Sequence, residues 1–235
     1  MQSSDLSSLL WRAARLGSSA RLCDLVDMMV NDPPGHRGFG ALPELGGTRN
    51  PRVRESEMYE GVLTFWFEEI EPQVWWTTDP AFDERIRERY LGLLQRATQG
   101  ELYGWRSTPE GRLAEILVLD QFSRNIHRDT WQAFSQDPMA LALAQEAVAA
   151  QAHMRLSPTE CIFMLMPYMH SESRLIHVQA EALYREFAPP DNHDFEFRHK
   201  AIIDRFGRYP HRNEVLGRMS TAEEIEFLRQ PGSRF

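Results

Sequence analysis

A chain of 235 residues with 42% hydrophobic and 26% charged side chains can bury the core of a domain and keep a polar surface. Its formal net charge of −8 argues against nucleic acid or an anionic membrane surface as a partner of the whole chain. Two cysteines without CxxC spacing exclude a disulfide framework, and no apolar run reaches the roughly 20 residues of a membrane helix, so we expect a cytoplasmic protein.

Residues 1–57 differ from the rest of the chain because they lack hydrophobic periodicity and are rich in glycine and proline between positions 31 and 50. Three interpretations remain open: an organellar transit peptide, a flexible regulatory tail, or an over-long gene start. We favour the third, because the periodic pattern begins at Met58. We therefore predict an extension over residues 1–57, either disordered or an artefact of the gene start, and one domain over residues 58–235.

From Met58 onward, an N-cap residue followed by proline repeatedly marks a helix start, at Asp79-Pro80, Thr108-Pro109, Asp137-Pro138 and Ser157-Pro158. The pattern predicts helices over residues 59–69, 80–99, 109–127, 138–151, 158–166, 171–187, 194–206 and 221–229. No β alternation or Asn-Gly hairpin separates them, so the predicted class is all-α. The first three proline-marked starts are 29 residues apart, which favours an α-α superhelix of stacked helical hairpins.

Capping and breaking residues refine these boundaries. Ser157 with Glu160 and Ser220 with Glu223 have the spacing of capping boxes. Pro167 interrupts an apolar run and should end the helix that begins at residue 158.

The predicted helix 109–127 is apolar on two faces and should lie at the centre of the domain. Asp120 and Arg124 extend one of these faces and are spaced i,i+4, so they can form a buried ion pair. Such a pair is costly to desolvate and is rarely a stability device. It either fixes the helix orientation together with Asn125, or holds Arg124 ready for an anionic ligand with Asp120 as its orienter.

His170 and Glu172 lie between the apolar helix that should end at Pro167 and the amphipathic helix that should begin near Ser171. His170 would then stand beside helix N-terminal N–H groups, which attract anions. We predict that His170 is a general base or a ligand contact and that Glu172 orients it. Alternatively, Glu172 only complements the helix dipole.

A basic segment over residues 198–213 carries five cationic side chains and two histidines in an otherwise acidic chain. It is either a solvated turn or one wall of an anion pocket, because the guanidinium fork suits carboxylate and phosphate. The predicted ligand contacts in this segment are His199, Arg205, Arg208, His211, Arg212 and Asn213.

Motifs for metals and cofactors are missing from the sequence. There is no HExxH motif, no paired cysteine, no glycine-rich phosphate loop and no dinucleotide fingerprint. We therefore predict neither a metal nor a cofactor.

Three segments, LDQFSRNI (119–126), PYMHSE (167–172) and RFGRYPHRN (205–213), resemble the signature blocks of a bacterial family catalogued as domain of unknown function nine-two-four. The resemblance spans about residues 59–235 and leaves residues 1–57 outside. It implies an α-α superhelix similar to tetratricopeptide-repeat proteins, and it implies no activity. Ser123 and His127 depart from the family pattern, which often has proline and an aromatic residue at these positions.

Three functional hypotheses follow. The first is a site for a small anionic molecule, with hydrolysis or proton transfer through a histidine. The second is a scaffold that binds an acidic peptide or another protein in the groove of stacked hairpins. The third is a purely structural role, in which the polar segments lock the helices together. We favour the ligand site, and the sequence predicts no oligomeric state.

Overall fold

The structure, a computed structural model, describes residues 51–233, with side chains from residue 58 onward. The predictions for residues 1–50 lie outside the described residues. The first described helix begins at Pro51, inside the predicted extension and ahead of the predicted domain start at Met58.

The described helices, in chain order, are α1 (Pro51–Thr64), α2 (Pro80–Thr98), α3 (Pro109–Leu117), α4 (Ser123–Ile126), α5 (Asp137–Ala149), α6 (Pro158–Met169), α7 (Arg174–Phe187), α8 (Pro190–Phe206) and α9 (Ala222–Phe227). Two π-helical turns, Phe65–Glu69 after α1 and Val118–Phe122 between α3 and α4, and several short 3₁₀ turns complete the backbone. No strand occurs between residues 51 and 233, so the predicted all-α class is confirmed. None of the described helices is both long enough and apolar enough to span a membrane.

Three of the four predicted proline-marked caps are confirmed. Asp79 caps α2 and Thr108 caps α3, each by accepting a hydrogen bond from a first-turn backbone N–H, at 2.9 and 3.0 Å. Ser157 and Glu160 form the predicted reciprocal capping box at the start of α6.

Two predicted caps are wrong. Asp137 is the first residue of α5 rather than its cap, and its side chain makes other contacts, described below. The C-terminal capping box is formed by Thr221 and Glu224, one residue after the predicted Ser220 and Glu223. Thr221 has the extended backbone that a cap requires, with φ −72° and ψ 163°.

Several predicted helix ends also differ. Pro167 lies inside α6, which continues to Met169, so the predicted stop is wrong. The proline removes one backbone hydrogen bond, but α6 is buried on all sides here, and this burial outweighs the loss. As a result, α7 begins at Arg174 rather than near residue 171. The helix predicted from residue 194 begins at Pro190, because proline suits the first helical turn.

The stretch formed by α3, the second π turn and α4 lies at the centre of the described fold. Of residues 113–122, only Gln121 is not fully buried, which confirms the predicted central position. α3 packs against α1, α5 and α6, while the π turn and α4 pack against α2. A π turn inserts one extra residue into a helix, and this one carries Asp120 into the core.

Gly111 and Gly92 provide a matched test of the packing around α3. A Cβ on Gly111 would overlap the backbone carbonyl of Trp105, so we expect Gly111→Ala to lower the free energy of unfolding by about 1–3 kcal/mol. A Cβ on Gly92, on the exposed face of α2, would meet nothing within 4 Å, so Gly92→Ala should raise the free energy of unfolding by about 0.5–1 kcal/mol. Urea denaturation measures both values, and equal effects would contradict the close contact at Trp105.

Candidate functional site

Asp120 is an almost completely buried carboxylate, with 1% of its surface exposed. Arg124 Nη1 donates a hydrogen bond to Asp120 Oδ1 at 2.9 Å, which confirms the predicted i,i+4 pair. His170 Nδ1 lies 2.8 Å from the same oxygen, and Gln121 Nε2 donates to Oδ2 at 2.6 Å. His170 is the C-cap residue of α6, so this carboxylate joins the π turn to α6.

The protonation state of His170 follows from its neighbours. Burial acts to raise the pKa of Asp120, but the charge of Arg124, the electrostatic interaction with His170 and the hydrogen bonds from His170 and Gln121 hold this pKa well below its usual range. Asp120 is therefore ionised and can only accept the hydrogen bond that joins it to His170, so Nδ1 of His170 carries the proton. Burial, reinforced by the Arg124 charge, lowers the pKa of His170 despite the opposing effect of Asp120. The ring is therefore neutral at neutral pH.

The second ring nitrogen of His170, Nε2, has no hydrogen-bond partner among the described residues. The side chain is 16% exposed, whereas the Asp120 side chain beneath it is 1% exposed. The Nδ1–H of the imidazole therefore points into the core, and Nε2 remains available as a base.

Asp137 is a second carboxylate of the same cluster, at the first residue of α5. Arg124 Nη2 donates to Asp137 Oδ2 at 3.0 Å, and Arg212 Nη1 donates to the same oxygen at 3.1 Å. Both guanidinium groups also lie over the ring of Phe134, at 5.6 and 4.6 Å from its centroid. Two of the predicted segments, separated by more than 80 residues, thus place an arginine on one carboxylate.

The two arginines differ in how well they are neutralised. Burial acts to lower the pKa of Arg124, but Asp120 and Asp137 raise it above its ordinary value. Burial and the neighbouring Arg124 charge lower the pKa of Arg212, because Asp137 compensates it only in part. Arg212 is 6% exposed, and its Nε is buried without a hydrogen-bond partner among the described residues. We call Asp120, Arg124, Asp137, His170 and Arg212 the central polar cluster.

Two predicted histidines flank this cluster through the ring of Tyr209. The His199 ring lies edge-on to Tyr209 at 5.8 Å between centroids, and His211 lies at 5.5 Å. Arg212 stands over the same ring at 4.6 Å. Burial lowers the pKa of His199 to about 3, although the hydrogen bond from its Nδ1 to a backbone carbonyl one helical turn earlier opposes this shift.

Glu172 does not orient His170, so that part of the prediction is wrong. Arg218 donates to both Glu172 carboxylate oxygens, at 2.6 and 2.9 Å, and the Tyr209 backbone N–H donates at 2.7 Å. Burial would raise the pKa of Glu172, but these hydrogen bonds lower it below its ordinary value. The chain leaves α6 at His170, and Glu172 falls in the connection to α7, where it fastens the C-terminal segment. Asp120 is the orienter instead.

Four other predicted ligand contacts lie in separate networks. Arg208 forms a two-pronged ion pair with Glu224, at 2.6 and 2.8 Å, and Asn213 donates to the same carboxylate at 3.3 Å. Arg205 pairs with Glu223 on the surface. The fourth contact, Asn125, donates a hydrogen bond to Asp83 of α2, and Arg128 binds the same carboxylate. These residues fasten α9 and α2 and do not reach the central polar cluster.

Sequence reasoning missed several buried polar residues. The sequence predicts a helix cap at Asp137, because capping is the usual role of Asp before Pro. His177 Nδ1 lies 2.7 Å from Glu196 Oε1, and both side chains are fully buried between α7 and α8. The sequence indicates only that each residue lies on the apolar face of an amphipathic helix. The contact between them can be predicted only when it is known that the two helices pack together.

Two cavities open elsewhere on the described surface. The larger, about 570 Å³, is a groove between α8 and the C-terminal segment, and the smaller, about 230 Å³, lies between α2 and the turn after α4. No residue of the central polar cluster lines either cavity. Among residues 51–233, no three His, Cys, Asp or Glu side chains are grouped as metal ligands would be.

Fold and site together define an all-helical protein with a buried polar centre. The chain matches the family model described as bacterial protein of unknown function (DUF924) over residues 62–232, and it belongs to this family, as the resemblance predicted. A solved structure, described as a protein of unknown function, ATU0120, from Agrobacterium tumefaciens, is 32% identical to it. That match has a TM-score of 0.70 and covers 74% of this chain and 97% of the other. No curated protein matches the chain.

The buried His199 should make the stability of the protein depend on pH. The unfolded chain binds a proton at His199 below about pH 6.5, whereas the folded protein does so only near pH 3, so stability falls as the pH falls between these values. We expect His199 to remove about 1.6 kcal/mol of unfolding free energy between pH 6.5 and 5. His199→Asn should remove this part of the slope, as measured by urea denaturation at each pH. A variant with the wild-type slope would contradict the burial of this imidazole.

Proposed function

We propose that the central polar cluster binds a small anionic ligand and that His170 acts on it as a general base. The hydrogen bond of 2.8 Å between His170 Nδ1 and Asp120 carries the proposal, because it leaves the basic Nε2 unbonded beside the charge of Arg124. A histidine oriented by a buried carboxylate is the arrangement that proton transfer in hydrolysis needs.

The arginines support the binding half of the proposal. Burying a guanidinium group is expensive unless its N–H donors are satisfied, and Arg212 Nε is not. Arg124 and Arg212 converge from different segments on one point, and their planar forks suit a carboxylate or phosphate group.

The residues would divide the chemistry as follows. Arg124 and Arg212 would hold the negative charge of the ligand. His170 Nε2 would take a proton from a water molecule or from the ligand, and Asp120 would stabilise the imidazolium that forms. The low pKa of His170 keeps the base in its active, unprotonated form at neutral pH.

A peptide-binding scaffold is the second candidate, and the larger groove favours it. Phe195, Phe206 and Phe227 line this groove together with Arg198 and Arg205. Arg198 forms no ion pair with any described acid, so it could receive an acidic side chain. The successive packing of α1 on α3 and of α3 on α6, with α5 and α7 beside them, supports a tetratricopeptide-repeat-like superhelix.

Thermal shift at constant ionic strength tests the binding proposal. We expect sodium acetate or sodium phosphate to raise the melting temperature by about 3 °C at tenfold excess over the dissociation constant, and sodium chloride to have no effect. Arg212→Met should abolish the rise because it removes the under-neutralised cation. Arg198→Gln is the control and should retain it. If neither anion raises the melting temperature, the binding proposal fails and the purely structural role remains.

The catalytic half is tested with His170→Asn, because an asparagine amide can replace the Nδ1 donor to Asp120 but not the Nε2 base. We expect a hydrolytic activity found on a panel of nitrophenyl esters and phosphates to fall by about 100-fold or more, with anion binding within twofold of wild type. Turnover by the variant at the wild-type rate, or none by wild type across the panel, would contradict a general base at His170.

A further inference from the structure

The charges of the central polar cluster already sum to zero. Arg124 and Arg212 contribute two positive charges, Asp120 and Asp137 two negative ones, and His170 is neutral. An additional anion would therefore leave a nearly buried site with uncompensated negative charge, which is costly. A ligand anion fits this cluster only if one of its own acids leaves.

Of the two acids, only Asp137 can move out of the cluster at low cost. Asp120 has an exposed fraction of 1% and holds Gln121, Arg124 and His170, so its departure would break three contacts. Asp137 has a side chain 17% exposed at the first residue of α5, and it makes no capping hydrogen bond to that helix. Its side chain can turn outward without loss of helix structure.

The contacts of Asp137 are also incomplete. Both arginines share Oδ2, whereas Oδ1 lies 3.0 Å from Arg124 Nη2 without hydrogen-bond geometry and is buried. Arg212 Nε has no partner at all among the described residues. A carboxylate that is not tied to the backbone of α5 could rotate to use both oxygens and reach this nitrogen.

We infer that the Asp137 carboxylate occupies the place of the ligand's anionic group, and that this group is a carboxylate, which binds by displacing Asp137 from Arg124 and Arg212. The inference rests on the proposed function and names the substrate class of the same site. A monocarboxylate restores the net charge of zero, whereas a phosphate dianion leaves an excess negative charge between the arginines. Asp137 is thus a built-in competitor that sets the affinity of the site.

Removing the competitor should strengthen binding. In Asp137→Asn the amide keeps the size of the side chain but no longer neutralises the two buried arginines. If Asp137 fills the site more than nine-tenths of the time, acetate should bind the variant about tenfold more tightly than wild type. Without acetate the variant should melt at a lower temperature than wild type, and acetate should restore the loss.

The experiment is isothermal titration of the full chain with sodium acetate and sodium phosphate at constant ionic strength. The proteins are wild type, Asp137→Asn and a control, Asp204→Asn, which removes a half-exposed acid paired with Lys200 on α8. We expect the control to match wild type and Asp137→Asn to bind acetate about tenfold more tightly. Adding Arg212→Met to Asp137→Asn should abolish the gain.

The outcomes separate the two proposals. If neither wild type nor Asp137→Asn binds an anion, the proposed function itself fails. If wild type binds but Asp137→Asn binds no more tightly, only the displacement of Asp137 fails, and tighter phosphate than acetate binding to the variant overturns the carboxylate class. Should Asp137→Asn not fold even with acetate present, Asp137→Ser is titrated instead, with the same expected gain and the same contradicting results.

Discussion

An ionised carboxylate inside an apolar helical body is the constraint on which this structure depends. Asp120 is 1% exposed, and a buried, unpaired carboxylate would cost several kcal/mol or take up a proton. The protein keeps it charged by supplying donors from both sides: Arg124 and Gln121 from its own helix, and His170 from the end of α6. The position of α6 against the central helix is therefore linked to the charge on Asp120.

The same constraint extends outward through Arg124. Its second nitrogen binds Asp137 at the start of α5, and Asp137 in turn binds Arg212 from the C-terminal segment. Four separate elements of the fold are thus connected through alternating charges. Replacing such a chain with apolar side chains of similar volume often costs no stability. Its presence in the core is therefore one reason for the ligand that we propose, and the unsatisfied Nε of Arg212 is another.

The sequence predicted what local chemistry determines. Prolines and N-cap residues located the starts of α2, α3 and α6 because a cap depends on a few neighbouring residues. The Asp120–Arg124 pair was predictable because a helix fixes the distance between positions i and i+4. The helix end predicted at Pro167 is wrong for the opposite reason, because tertiary burial of α6 outweighs a local helix-breaking preference.

The site was predicted only in part because its contacts are non-local. His170 and Arg212 do meet Asp120 and Asp137, but nothing in the sequence fixes which acid faces which base. The sequence predicts that Glu172 contacts His170 because the two residues are close in the chain, whereas the turn after α6 places Glu172 against Arg218.

The most direct test of this account is the protonation state of His170, observed by nitrogen-15 NMR of the imidazole in the full chain. The account requires a neutral ring at pH 7 with its proton on Nδ1, and a pKa below the ordinary value, because an ionised Asp120 accepts that proton and burial disfavours the cation. A ring that is doubly protonated at pH 7, or that carries its single proton on Nε2, would contradict it.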